Sequence, residues 1–426
     1  MAAQGSSAVQ SLELERVSPK VPALFDRDDT FYSRIERRPV EIVSTRDMRI
    51  PLELRPGGYF GHYDPDGGDL GRGAGITYDK AVITPAYLRF AVEITRKAAW
   101  GTENRTKAVK SATRDAILKG MREFRRHNNA ISMTDGTGSL GIISTVAVSG
   151  GKDTYTMNRT GSNSTGFGTK LLRFGQKINV YATGLGTNRT SAGEVEIDLY
   201  DQGNNQVRTS ASVSGAVAGD VIVASGLTAT PPASIKGVKY HHDSASTGTW
   251  LGFNRANFPE IRSNRVNGNG FGFSLTLARL AINKIGDRVG EDYGKRCMAC
   301  MHPAQLQAYE EIAQLAIQIN KTTNSNEKFD LYFGSGTSMA GAPVFTSFLW
   351  DATRIDMVDL DVWGRAVMNE ADFYKSEDGR RIFEVRGSSG GVATADLFYY
   401  IANYDLFVNN PAATSYIDNL AVPTGY

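Results

Sequence analysis

Residues 147–245 are rich in Gly, Ser, Thr and Asn and carry short alternating apolar runs, among them Ile178–Val180, Val195–Ile197–Leu199 and Val221–Ile222–Val223. Turn pairs such as Gly203-Asn204 and Gly219-Asp220 separate these runs. Helical periodicity lies on both sides of the segment. A β-textured stretch bracketed in this way constrains the chain to an α+β fold with a small all-β domain inserted into it. No internal repeat competes with that reading. The 426 residues suffice for two or three domains, and 41% hydrophobic residues suffice for a sizeable core.

Upstream, two runs have a period of two. Met48, Ile50, Leu52 and Leu54 alternate with Arg49, Pro51, Glu53 and Arg55, and Leu88, Phe90, Val92 and Ile94 alternate with Arg89, Ala91, Glu93 and Thr95. Pro51 cannot donate a ladder hydrogen bond, which places its strand at an edge or a bulge. Between the runs lie Gly57, Gly58, Gly61, Gly67, Gly68, Gly71, Gly73 and Gly75. Two strands joined by so flexible a connector predict an extended hairpin over 39–95. A lone hairpin is marginal in water, so this one is expected to pack on something else, with its tip serving a neighbouring subunit. Residues 1–38 show no sustained apolar period and read as an arm without a core of its own.

Residues 102–128 predict a long amphipathic helix. Its stripe is Val109, Ala112, Ala116, Gly120 and Phe124, flanked by Ile117 and Met121. The formal charge of +2 hides an asymmetry that centres here: residues 96–126 hold ten basic side chains against Glu103, Asp115 and Glu123. That segment carries +7, which leaves −5 for the rest of the chain. Arg114, Arg122, Arg125 and Arg126 lie mostly opposite the stripe. They are either a solvated face or a surface toward nucleic acid, read through phosphates and therefore without base specificity.

Downstream, Ser274 is an N-cap for a helix carrying Leu277, Leu280, Ala281, Ile285 and Val289. A strand at Cys297–Met301 leads to a second helix with Pro303 at its first position. The stretch 329–410 is mostly strand-like. No apolar run approaches the ~18 residues needed to span a bilayer, so no membrane partner is expected. Two cysteines, Cys297 and Cys300, permit no disulfide framework, which fits a protein made in a reducing cytoplasm.

Catalytic and metal chemistry find weak footing. Gly336–Pro343 resembles the nucleophile segment of subtilisin-like serine proteases, with Ser338 as nucleophile. That chemistry needs a histidine and an acid. None of His62, His127, His241, His242 or His302 is followed by the glycine of the family's histidine motif, and Asp135–Gly138 matches the acid motif only loosely. The segment reads better as a loop entering a strand at Val344. Cys297, Cys300 and His302 lack a nearby fourth zinc ligand, and three residues along a strand put the two thiols on opposite sides. Asp64, Asp66 and Asp69 lack the ordered spacing and terminal glutamate of a calcium loop. No catalytic residue, metal or cofactor is assigned.

Several local motifs occur in collinear order. They are Cys297-Met298-Ala299-Cys300-Met301-His302-Pro303-Ala304-Gln305, Gly341-Ala342-Pro343-Val344, Gly379-Arg380-Arg381-Ile382-Phe383 and Val408-Asn409-Asn410-Pro411. Thr249-Trp250-Leu251-Gly252 with Phe258-Pro259-Glu260 precedes them. Set beside the order of arm, hairpin, long helix, second helix and closing strands, they resemble the major capsid proteins of tailed bacteriophages. The resemblance covers nearly the whole chain outside the β insertion. It implies a Hong Kong 97-type fold: an N-terminal arm (1–38), an extended loop (39–95), a peripheral domain with the spine helix (96–146), the inserted β domain (147–245), more peripheral domain (246–292), an axial domain (293–362) and peripheral C-terminal strands (363–426).

The function it implies is self-assembly into pentamers and hexamers of an icosahedral head. The partners would be further copies of the chain, packaged double-stranded DNA held without sequence preference, and portal, scaffolding and decoration proteins. The location would be the virion, assembled in the host cytoplasm. No large scaffolding segment precedes the arm, so scaffolding would come from a separate protein or be unnecessary. The rival readings are an encapsulin-like compartment shell, a serine hydrolase acting through Ser338, and a stand-alone nucleic-acid binder acting through the basic helix.

Overall fold

The computed structural model describes residues 31–44, 47–55, 57–58, 60–62, 73, 75–95, 112–158, 168–320, 338–339, 342–386 and 392–423. Residues 1–30 of the expected arm, Gly67, Gly68, Gly71 and the Asp64–Asp69 stretch lie outside them.

The described chain opens on one helical turn, α1 (Phe31–Arg34). Asn129 Oδ1 caps it, accepting from the backbone N–H of Phe31 at 2.9 Å and of Tyr32 at 3.4 Å. Phe31 and Ile35 are fully buried, and the Phe31 ring lies 5.4 Å from Trp350 and 6.2 Å from Trp363. The described end of the expected arm thus packs on the body of the chain. Phe31, Tyr32 and Ile35 share one face of a turn and plug the main core.

Strands β1 (Glu41–Ile42), β2 (Met48–Arg55) and β3 (Thr77–Ile83) form a three-stranded antiparallel sheet. The hairpin is therefore β2–β3, with Met48 opposite Ile83 and Ile50 opposite Ala81. The expected return strand, β4 (Ala86–Thr95), leaves for another sheet. Pro85 stands between β3 and β4; it holds Thr84 extended and interrupts the ladder. At Pro51 only β3 flanks β2, because β1 stops opposite Met48 and Arg49. The long helix is α2 (Ala112–Ser132), four residues longer at its C-terminal end than predicted.

Six strands follow: β5 (Ser139–Ser149), β6 (Lys152–Met157), β7 (Lys177–Tyr181), β8 (Val195–Asp201), β9 (Gln206–Thr209) and β10 (Val221–Ala224). They close an antiparallel barrel in the order β10-β5-β6-β9-β8-β7. Closure leaves no free edge. Tyr155, Leu171, Leu172, Ile178, Val180, Ile197, Val207 and Ile222 fill it. The inserted β unit exists, but it spans 139–224 and not 147–245. Leu140 and Ile143 belong to its core, while Ile235 and Val238 are buried in the main core instead.

The remainder runs α3 (Val238–His241), β11 (Thr249–Trp250), β12 (Phe253–Asn254), β13 (Asn264–Asn267), α4 (Leu275–Val289), α5 (Glu291–Arg296), β14 (Met298–Met301) and α6 (Pro303–Asn320). It continues with β15 (Ser338–Met339), β16 (Ala342–Thr346), β17 (Ile355–Val358), β18 (Trp363–Phe373), β19 (Phe383–Arg386), β20 (Val392–Val408) and β21 (Ser415–Asp418). Ser274 caps α4 as predicted, its side chain accepting from the Leu277 N–H.

Two sheets organise these elements. A six-stranded sheet has the order β13-β21-β17-β14-β16-β15. Its interior strand β14 is buried on both faces: Met298 and Cys300 enter the main core, while Ala299 and Met301 enter a second core under α4. In the other sheet β20 is central, paired along one side with β18 and β19 and along the other with β4. The six-stranded sheet draws β13 from 246–292 and β21 from 363–426, and α4 packs Ala278, Ala281 and Ile285 beneath it. The expected boundaries of a separate 293–362 unit therefore do not match the packing, because β13 and β21 pair in parallel across them. The fold is α+β.

Candidate functional site

Helix α2 lies across the four-stranded sheet through Ile117, Met121 and Phe124, all buried against Phe90, Val92 and Tyr400. Tyr400 donates its hydroxyl hydrogen to the Ile117 carbonyl at 2.6 Å. The buried stripe thus keeps Gly120 and Phe124 as expected and takes in Ile117 and Met121, which the sequence places at its flank. The reason is geometric: Gly120 sits where the sheet comes nearest, so the larger side chains on either side of it fill the contact.

The arginines occupy two columns of α2. Arg122 and Arg126 are one turn apart, and Arg114 and Arg125 are three turns apart at 3.6 residues per turn. Arg114 and Arg122 are exposed, while Arg125 and Arg126 are half-buried. The same helix offers Asp115, which pairs with Lys119 at 2.6 Å, and Glu123, which receives Arg173 of the barrel at 2.9 Å and lies 3.9 Å from Arg126. Glu123 therefore ties the helix to the barrel beside Arg126, and at the same junction the Leu171 carbonyl meets His127 Nε2 at 2.7 Å.

The hairpin rests on its own chain. Met48, Leu52, Leu54, Ala81 and Ile83 pack on Trp250, Leu251, Phe253 and Ile261, and the Val82 N–H donates to the Leu251 carbonyl at 2.9 Å. Arg55 reaches Glu260 at 3.3 Å and the Asn257 carbonyl at 2.8 Å. Thr249–Gly252, which the sequence singles out only as a motif, is thus the seat of the hairpin. Toward the tip the apolar groups are uncovered: Phe60 is 90% exposed, Tyr78 62% and Ile76 51%. Gly58, Gly61, Gly73 and Gly75 are exposed and Gly57 is half-buried. A Cβ on Gly73 would stand 4.0 Å from the Gly58 Cα, so the two arms run side by side here, and Gly58 adopts a left-handed φ of +85°.

Among the described residues the alternative chemistries are not assembled. Ser338 lies in β15, paired with Pro343, and not at the head of a helix. Four histidines are engaged elsewhere: His127 with carbonyls, His241 with Trp250, His242 with Asp356, and His302 with the Ala304 N–H; His62 lies on the exposed hairpin tip, its ring 5.4 Å from that of Phe60. Burial pushes the Cys297 thiol up to about 12 and raises Cys300 as well, so neither becomes a thiolate readily. The two sulfurs point into different cores, as strand alternation predicts. Among the described residues no helix is long and apolar enough to cross a membrane.

No family model and no curated protein matches this sequence. Among solved structures, the chain is similar to one from a cyanophage A-1(L) capsid asymmetric unit, with a TM-score of 0.48, 13% identity, and coverage of 95% of this chain and 93% of that one. It is also similar to a chain from the capsid of a native GTA particle, with a TM-score of 0.46, 11% identity and coverage of 92% and 90%. A third similarity is to a chain of the satellite phage P4 procapsid, which includes the size determination (Sid) protein, with a TM-score of 0.40, 10% identity and coverage of 96% and 99%.

Proposed function

We propose that the chain is the major capsid protein of a tailed double-stranded DNA phage, with a Hong Kong 97-type fold, and that its work is structural. The collinear motifs support this reading, and one observation carries it. The β2–β3 hairpin is firmly seated on Trp250 and Leu251, yet it projects Phe60, Ile76 and Tyr78 into the open. A rigidly based arm with uncovered aromatics is suited to docking on another copy.

The mechanism is packing. Obligate interfaces commonly exceed ~2,000 Å² of buried surface, so many modest contacts can hold a shell without chemistry. Pentamers and hexamers place the same chain in slightly different surroundings, and the glycines along the tip give the hairpin room to adapt. The basic columns of α2 would face packaged DNA, neutralising phosphates without reading bases. Portal, scaffolding and decoration proteins would complete the particle, assembled in the host cytoplasm. Electron microscopy of the purified chain, with and without phage accessory proteins, tests the reading. Icosahedral shells are expected, with DNA inside when they are isolated from infected cells. A strictly monomeric protein under all conditions would overturn the proposal, and shells filled with a co-purifying enzyme would favour an encapsulin-like compartment.

A further inference from the structure

His241 occupies the joint between the layer that carries the hairpin and the four-stranded sheet. It is fully buried at the end of α3. Its Nδ1 accepts from the Trp250 Nε1–H at 3.1 Å, and its Nε2 lies 3.0 Å from the Leu406 carbonyl oxygen of β20. Trp250 is the largest side chain of the core under the hairpin and is itself fully buried. A carbonyl only accepts and an indole N–H only donates. One state of the imidazole satisfies both neighbours: neutral, with its proton on Nε2. A second proton, on Nδ1, would meet the indole N–H head on, donor against donor.

We propose that His241 is a proton-operated catch: neutral, it fastens Trp250 and the hairpin seated on it to β20, and on protonation it releases them. The proposal goes beyond the assembly reading and stands without it, since the catch lies within one chain.

The surroundings favour the neutral form. From its own segment, Lys236 and His242 face His241; Lys236 is 3.6 Å from the buried Asp405 carboxyl of β20. The Trp363 ring of β18 stands 5.3 Å away and the Tyr240 ring 5.2 Å away, both edge-on. The next charges are Asp356 and Arg354 on and beside β17, which are committed to His242 and to each other. Burial is the main cause that lowers the His241 pKa from 6.5 to about 3; the Leu406 carbonyl and, more weakly, the Lys236 backbone oppose it, and the Lys236 and His242 charges add to it. In a released state the exposed ring would titrate near its ordinary value. Release is therefore favoured progressively as pH falls below about 6.5, by up to about tenfold per pH unit, until the closed state itself protonates near 3.

Hydrogen exchange on the full chain, corrected for intrinsic rates, tests this. Protection in 48–55, 77–83 and 249–261 should fall about tenfold per pH unit between roughly pH 6 and 4, while the barrel at 139–224 keeps its protection. The neutral substitution His241→Gln should abolish that dependence. Uniform loss of protection across the chain, or an unchanged pH dependence in the variant, would overturn the proposal. Should the variant fail to fold, the imidazole nitrogen shifts of the native chain decide the matter. A neutral ring protonated on Nε2 at pH 5 supports the catch, and a charged ring at pH 6 rejects it.

Discussion

At Gly120, helix α2 comes so close to the sheet that a Cβ would stand 2.6 Å from Val92 Cγ2 and 3.1 Å from Tyr400 Cε2. Neither neighbour yields easily. Val92 is β-branched and stiff at χ1, and Tyr400 is held by its bond to the Ile117 carbonyl. Replacing a helical glycine normally gains up to ~1 kcal/mol, but overpacking a tight contact costs ~1–3 kcal/mol and grows with the side chain. Gly120→Val should therefore lose about 2 kcal/mol in urea denaturation, and an unchanged midpoint would show that the helix can lift without penalty. The sequence places Gly120 on the apolar stripe, so its burial is legible; its role as the closest point is not, because Val92 and Tyr400 approach from opposite ends of the chain. The same holds for Asn129, which reads as a polar residue just past the predicted helix and caps α1 across 98 residues of sequence. Cys297 and Cys300 were legible, because strand alternation alone separates their side chains.

Among the elements, those with strong local signals read correctly. Ser274 and Pro303 begin their helices where capping chemistry places them, and β2 and β4 keep the predicted alternation. Their pairing did not read. β3 buries only Ala81 and Ile83 and exposes Thr77 through Lys80, so it gives little alternation to detect. β4, with the stronger pattern, is taken by β20 over ten registered pairs. The barrel boundary slipped for a related reason: β5 opens on an apolar run, Leu140–Ile143, that lies upstream of the Gly-, Ser-, Thr- and Asn-rich texture by which the insertion was bounded. This has a direct consequence for fragments. A piece spanning 136–228 contains all six strands and should fold alone, whereas 147–245 lacks Leu140, Ile142 and Ile143 and leaves β10 without its partner residues on β5. Circular dichroism and amide dispersion by NMR should show β structure for the first and an unstructured chain for the second. Equal folding of both would mean that the closing pair β5–β10 is dispensable.

For the whole molecule, the assembly reading makes two separable demands, one on the hairpin and one on the helix. Deleting 57–75 and joining the arms by a short Asn-Gly turn should leave a folded subunit, because the seat on Trp250 and Leu251 lies outside the deletion. It should impair shell formation, because Phe60 leaves with the tip; normal shells would show that the tip serves no neighbour. The helix calls for a more careful choice. Reversing Arg126 would set a carboxylate beside Glu123, which already holds Arg173 of the barrel, so the result would mix DNA contact with damage to the junction. Arg122 is exposed and one turn away, which makes Arg122→Glu the cleaner probe. Loss of a phosphate contact should weaken DNA retention independently of sequence and reduce its salt dependence by about one counterion per site. Normal empty shells with reduced DNA retention are the expected outcome. Failure to form shells would instead assign Arg122 to an interface with a neighbouring subunit or a scaffolding protein. Full retention of DNA in normal shells would exclude both roles and leave this column of α2 a solvated face.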